Sequence, residues 1–385
     1  MGKPWLKFYD PPVPQTIAYP EFLLPQILDE AAEHFPDQTA VFFFGGRVKY
    51  DQLRAQANRF ASALRETGFR KGDRLGLLLA NMPQTIISSF GALKAGGIVV
   101  FFDPLAEEEE LQRQLNEAGV EILVVLDLVL PRVDRIFSKT KLKQFIITGV
   151  KDYLPFPRDI FFNLAARGRG MNVKVARKPH IRLFKEFLLS GRSDLPPAEG
   201  GPGNPEEVAV MQYTSGTSGP PKGVLLTHQN LTANVLQASA WVGNLAKGEE
   251  TFLSILPFHR AYGMTLGMNL PIHLAAMSIH LPDTEAKIVD PASGEKEMGV
   301  GEPGELIVKG PQVMKGYWNR PEETKRRFAR AGCIQVMWPG WMKMDISTSW
   351  ANSRSLKKKL TRAHPEIPSP LAGEGRGEGD ENRKS

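Results

Sequence analysis

The segment pattern between residues 50 and 126 leaves few folds open. "DRLGLLLAN", "IVVFFD" and "VEILVVLD" are short and almost continuously apolar, the pattern of strands buried on both faces. Helix-like segments separate them. "DQLRAQANRFASALRETG" places Leu53, Ala57, Phe60, Ala61 and Leu64 at helical spacing and stops at Gly68. "MPQTIISSFGALKAGG" has a proline near its start and a Gly-Gly stop. "AEEEELQRQLNEAG" carries its acids in the first turn, where the helix dipole favours them. Strand and helix alternating at this pace predict an α/β fold with a doubly wound sheet. No solenoid-like repeat is visible.

The 385 residues are enough for two to three domains, and 42% hydrophobic with 23% charged residues reads as ordinary globular protein. The net charge of +6 is concentrated in two basic runs, "ARGRGMNVKVARK" and "RSLKKKLTRAH", which fit solvated segments better than a nucleic-acid site. No nucleic-acid partner is expected. An anionic membrane surface stays open as a peripheral contact, and the sequence leaves the oligomeric state undetermined. Cys333 is the single cysteine, which excludes an internal disulfide framework and a multi-cysteine metal site and fits a reducing, cytoplasmic setting. The start, "MGKPWLKFYDPP", has no apolar signal core. The most apolar long window, Met264 to Leu281, carries Asn269, Pro271, His273 and His280 and suits buried core or a ligand tunnel better than a membrane span.

The strongest chemical signal is "YTSGTSGPPKGVLLTHQNL", Tyr213 to Leu231, which follows the strand-like "VAVMQY". Its glycines let backbone N–H groups face a ligand, Thr214, Ser215, Thr217 and Ser218 offer hydroxyl donors, and Lys222 adds a point charge. The spacing is not that of a Walker loop, because Gly223 follows the lysine. A flexible connection between strands is the plainer alternative. The lysine and the paired prolines favour phosphate binding over it.

These residues resemble the phosphate-binding signature of the adenylate-forming (AMP-binding) enzymes, T-S-G-[ST]-T-G-x-P-K-G, with Ser218 in place of the usual second threonine. "GDRLGLLLANMPQTIISSFGALKAGGIVVFFDPL", "LPFHRAYGMT" and "GEPGELIVKGPQVMKGYWNRPEET" resemble further blocks of the family, and "ITGVKDYLPFPRDIFFNLAARGRG" is most similar to its long-chain fatty-acid–CoA ligases. The resemblance covers roughly residues 15 to 330 with one interruption. It implies a reaction in which a fatty acid attacks the α-phosphate of Mg²⁺-bound ATP to give acyl-AMP and pyrophosphate, and CoA then displaces AMP. Fixed donors and cations would stabilise the charge that develops on pyrophosphate. By resemblance Thr214, Ser215, Gly216, Thr217, Ser218, Gly219, Lys222 and Gly223 bind the ATP phosphates. His259, Tyr262 and Gly263 border the acyl site. For His259 alone a satisfied core histidine is the plainer reading, which its "LPFH…YG" context reverses.

Two departures from the family pattern carry their own expectations. "LPIHLAAMSIH" runs almost directly into "LPDTEAKIVD", and no Y-G-x-T-E occurs, the motif that in the family stacks on adenine and places a glutamate near Mg²⁺. Several strands and helices would be missing with it, leaving apolar faces uncovered. After "ETKRRFAR" the family block with the ribose-binding aspartate is replaced by "AGCIQVMWPGWMKMDISTSW". Permitted codons for that stretch, read from the third base, encode WLHPGDVARMDEDGYFYIV, which is the replaced block; the frame is inferred to slip near Ala331.

The expected organisation is therefore a partial AMP-binding domain over 1–281, a β-rich block over 282–330 and an out-of-frame, disordered tail over 331–385. A C-terminal lid domain with its catalytic lysine is expected to be absent. The chain is expected to be impaired, with the thioester step affected most. A non-catalytic remnant that binds nucleotide or acyl chain, and a fatty acyl-AMP ligase, are the alternatives.

Overall fold

The computed structural model describes residues 4–10, 13–158, 178–194, 203–214, 221–242, 245–280, 285–289, 305–309 and 334–335. The predicted alternation holds. A seven-stranded sheet is built from β3 (Arg74–Leu78), β4 (Ile98–Phe101), β5 (Ile122–Leu126), β6 (Gln144–Thr148), β7 (Ile181–Leu183), β8 (Val208–Tyr213) and β9 (Gly223–Thr227). Its order is β7-β6-β5-β3-β4-β8-β9, so the chain winds from β3 to β4 in one direction and resumes at β5 on the other side. All pairs are parallel except β8–β9.

Side chains alternate across this sheet into two cores. Val99, Phe101, Ile122 and Val124 join one, with helices α2 (Tyr50–Glu66) and α3 (Pro83–Lys94). Val100, Phe102, Leu123 and Val125 join the other, with α4 (Glu108–Ala118) and α5 (Leu130–Ile136). Two-sided burial is why these strands read as unbroken apolar runs. Every residue from Pro83 to Leu93 is buried, including Gln84, Thr85, Ser88 and Ser89. Thr85 and Ser89 donate their hydroxyls to the carbonyls of Ala80 and Thr85, which lowers the cost of burying them. Gly91 lets α3 approach α2: a Cβ there would lie 2.7 Å from the Phe60 ring.

A second sheet, of four strands, lies beyond α2. Its order is β10 (Thr251–Ser254), β11 (Met277–His280), β1 (Thr39–Phe43) and β2 (Gly46–Lys49). Phe44 and Gly45, at φ 47° and 88°, turn β1 into β2. β1, β11 and β10 are mutually parallel. Tyr50, fully buried in α2, donates its hydroxyl to the carbonyls of Pro271 and Ala276 at 3.2 and 2.7 Å, which bolts the helix to the chain entering β11. The window from Met264 to His280 is a π-helical turn (Gly263–Asn269), a short helix (Leu270–His273) and β11, and it is core, as its apolar content suggested.

Within 282–330 the described residues form an antiparallel pair, β12 (Glu285–Val289) and β13 (Glu305–Lys309). Ile334–Gln335, within the segment expected to be disordered, add a short strand β14 beside Ile307 and Val308; two residues of this kind fit an open antiparallel edge whatever frame encoded them. The rest of 331–385, with Cys333 and the basic run there, lies outside the described residues, as does nearly all of the run Ala166–Lys178.

Candidate functional site

In open α/β sheets ligands collect outside the carboxyl ends of the parallel strands. Here Asn81 follows β3, Asp103 follows β4 and Thr214 follows β8, and Asn81, Asp103 and Gln212 at the end of β8 all reach the segment 254–263. Asn81 organises that segment. Its amide donates to the carbonyls of Ser254 and Leu256 at 3.0 and 2.8 Å, and its oxygen accepts the Phe258 N–H at 2.9 Å. The Gln212 amide donates to the Phe258 carbonyl at 3.4 Å from β8. Gly263 closes the turn: a Cβ would lie 2.0 Å from the Pro257 carbonyl, so no other residue fits. Tyr262 is 42% exposed beside it.

His259 is thereby fixed, with Nε2 3.4 Å from Asp103 Oδ2, and Arg260 reaches the same oxygen at 3.5 Å. Burial works against the Asp103 carboxylate, but His259, the Leu105 N–H and Arg260 outweigh it and hold Asp103 down to about 2. The sequence reading found His259 and missed Asp103, Asn81 and Gln212. Asp103 stood in the quoted block "IVVFFDPL", and its position just past an apolar strand was the available signal.

The loop after β8 has a defined neck. The Thr214 N–H donates to the Lys222 carbonyl and the Lys222 N–H to Thr214 Oγ1, both at 3.0 Å. Arg113 of α4, itself paired with Glu110 and Glu117, donates to the Pro221 carbonyl at 2.9 Å. Tyr213 stacks on Phe102 and donates to the Gln114 carbonyl at 3.0 Å. Among the described residues no carboxylate pairs with the exposed Lys222 ammonium. Gly223 begins β9, close to the Met211 side chain. Ser215, Gly216, Thr217, Ser218 and Gly219 lie outside the described residues. Two predicted groups are thus held at one edge of the sheet, Thr214 with Lys222 and His259 with Gly263, linked through Gln212.

Phe258 packs edge-on to His280 at 5.2 Å. His280 is buried, neither ring nitrogen has a partner among the described residues, and burial pushes its pKa down to about 3, so it is a neutral, unpaired imidazole. Among the described residues no group of three His, Cys, Asp or Glu side chains is placed to hold a metal ion. No described helix is long and apolar enough to cross a membrane.

Comparison with known proteins fits this architecture. The AMP-binding enzyme family model matches residues 28–281 and 276–318. This chain belongs to the AMP-binding enzyme family. It is 32% identical to a long-chain-fatty-acid–CoA ligase of Bacillus subtilis, over 84% of this chain and 75% of the relative. It is 26% identical to a protein of the same name from Escherichia coli O157:H7, over 88% of this chain and 79% of the relative. Among solved structures, a long-chain-fatty-acid–CoA ligase from Archaeoglobus fulgidus has the same fold (TM-score 0.57, 20% identity, 85% of this chain and 83% of that one).

The matches also locate an internal gap. The two stretches matched by the family model meet at residues 276–281, the end of β11. Alignment to the Bacillus subtilis ligase runs 427 positions while using 84% of these 385 residues, about 323, so about a hundred positions of the relative face no residue here.

Proposed function

We propose that this protein activates a long-chain fatty acid with ATP, forming acyl-AMP, and passes the acyl group to CoA inefficiently. The observation that carries the reading is the closed neck between Thr214 and Lys222 at the carboxyl edge of the sheet, which presents an ammonium with no carboxylate partner among the described residues at the base of a sequence rich in glycine and hydroxyls. In this reading Thr214 to Gly219, Lys222 and Gly223 cradle the β- and γ-phosphates. Lys222 offsets the charge that grows on pyrophosphate as the α-phosphate is attacked. His259, held by Asp103, borders the acyl entrance with Tyr262 and Gly263. The name shared by the curated relatives supports the substrate class.

Among the described residues no group of three His, Cys, Asp or Glu side chains could hold Mg²⁺; the ion would arrive on the nucleotide's own phosphate oxygens. The sequence holds no Y-G-x-T-E motif, which weakens adenine and metal binding in this reading and lowers turnover. That same lack, with the gap of about a hundred positions, favours a second reading in which nucleotide or acyl chain binds without turnover. Palmitate-dependent exchange of pyrophosphate into ATP separates the two. The ligase reading expects exchange that needs the fatty acid, with much slower thioester formation on adding CoA. ATP binding without any exchange supports the second reading instead.

A further inference from the structure

Among the described residues, the four-stranded sheet is covered on one face only. Toward α2 and the π-helical turn it presents Val41, Phe43, Ser254, Ser278 and His280, all buried. On the opposite face Phe42, Ile279 and Leu253 form one row across β1, β11 and β10, since Phe42 is paired with Ile279 and Ile279 with Leu253. Leu253 is 58% exposed, Phe42 and Ile279 are half-buried, and Met277 continues the surface two residues along β11 from Ile279. Sheets of parallel strands are almost always covered on both faces, because their crossover connections place helices there. β1, β11 and β10 are parallel, so the open face is anomalous for its topology. β10 is also an edge: among the described strands it pairs with β11 alone.

The place where the relatives carry extra chain coincides with this defect. The family model's two matches meet at 276–281, where β11 ends, and about a hundred positions of the Bacillus subtilis ligase face no residue here. A segment that size holds several strands and helices, enough to extend the β10 edge and cover the row beside it. The rim adds charge. The Arg47 guanidinium lies 5.2 Å from the Phe42 ring centre and has no carboxylate partner among the described residues.

We propose that the outer face of the four-stranded sheet, with the free edge of β10, is a docking surface for a separate α/β polypeptide of about a hundred residues, equivalent to the block the relatives carry in continuous chain after β11. Its first strand adds in parallel to β10, its helix lays an apolar face on Phe42, Ile279 and Leu253, and an acid on that helix meets Arg47. The inference rests on family membership and the sheet, and is independent of whether the protein turns over ATP.

The test uses the full chain and, as probe, the block of the Bacillus subtilis ligase that faces the gap, expressed separately. Light scattering on a sizing column is expected to show a one-to-one complex, with a several-fold drop in binding of an apolar dye. Leu253→Glu and Ile279→Glu should each weaken the complex by at least about tenfold. Leu128→Glu, at an exposed leucine after β5, should leave it unchanged; thermal unfolding confirms that each variant folds. The same block inserted in cis after His280 covers the case of an insoluble probe, and should lower dye binding and raise the unfolding temperature. Failure of both the trans complex and the cis rescue overturns the proposal. So does a homodimer of the chain that Leu253→Glu dissociates, which would make a second copy the occupant.

Discussion

Asp103, two residues past β4, and His259, in the turn clamped by Asn81, stand 3.4 Å apart although 156 positions separate them. The pair joins the large sheet to the segment that precedes the π-helical turn. It places a carboxylate beside His259, a pairing that the sequence around neither residue announces. Asp103 is held at about 2, below its ordinary value of 3.8, against the upward push of burial. A carboxyl with a lowered folded pKa stabilises the fold above its unfolded value and loses that contribution as pH falls through the folded one. Asp103→Asn should therefore flatten the stability slope between about pH 4 and pH 2, read by urea unfolding across that range. An unchanged slope would show that the pair contributes nothing.

Asn81 is buried and completes three hydrogen bonds to one segment. Asn81→Ala would strip a buried N–H, a buried carbonyl and a part-buried carbonyl of their partner, at a cost of about 2–4 kcal/mol. Denaturant midpoints at constant slope measure this. The same variant should loosen His259 and raise the apparent KM for the fatty acid.

Gly263→Ala should cost about 3 kcal/mol or more, because the new methyl would meet the Pro257 carbonyl at 2.0 Å and neither backbone can retreat without breaking the Asn81 clamp. Gly68→Ala is the contrasting case. Nothing lies within 4 Å of a Cβ there, and its cost should be limited to the strain of a side chain at φ 86°.

His228 opens the helix that follows β9 and accepts the Leu24 N–H through Nδ1 at 3.1 Å. Burial pushes its pKa down to about 4; Glu207 works upward and Lys71, which pairs with Glu207, downward. The folded state therefore holds His228 neutral. Its contribution is complete above the unfolded value near 6.5 and is lost as pH falls toward about 4. His228→Asn keeps an acceptor and removes the titration, so the acid-side slope between pH 6.5 and 4 should become shallower, the remainder arising from groups such as His280. Equilibrium unfolding at half-unit pH steps tests this.

The doubly wound sheet was legible because two-sided burial forces unbroken apolar runs, and β3, β4 and β5 fall inside the quoted stretches. The four-stranded sheet was not, because its strands come from opposite ends of the described chain and β1 pairs with β11 across more than two hundred residues. The run from Thr214 to Lys222 stood out by its residue types and His259 through its neighbours, and the roles given to them here are proposals. Asn81, Asp103 and Gln212 act by reaching other segments, and nothing in the spacing around each residue reports that reach. The short join after "LPIHLAAMSIH" led to the expectation of uncovered apolar faces, and among the described residues one such face lies on β1, β11 and β10.

The central claim is that the loop between Thr214 and Lys222 serves ATP in fatty-acid activation, and palmitate-dependent pyrophosphate exchange by the purified chain and by Lys222→Ala tests it most directly. The account predicts slow but measurable exchange that requires the fatty acid and falls by about a hundredfold or more in the variant, while thermal unfolding is unchanged because the lysine side chain is exposed. Exchange that survives Lys222→Ala undiminished, or none at all from a cooperatively folded chain, would contradict it.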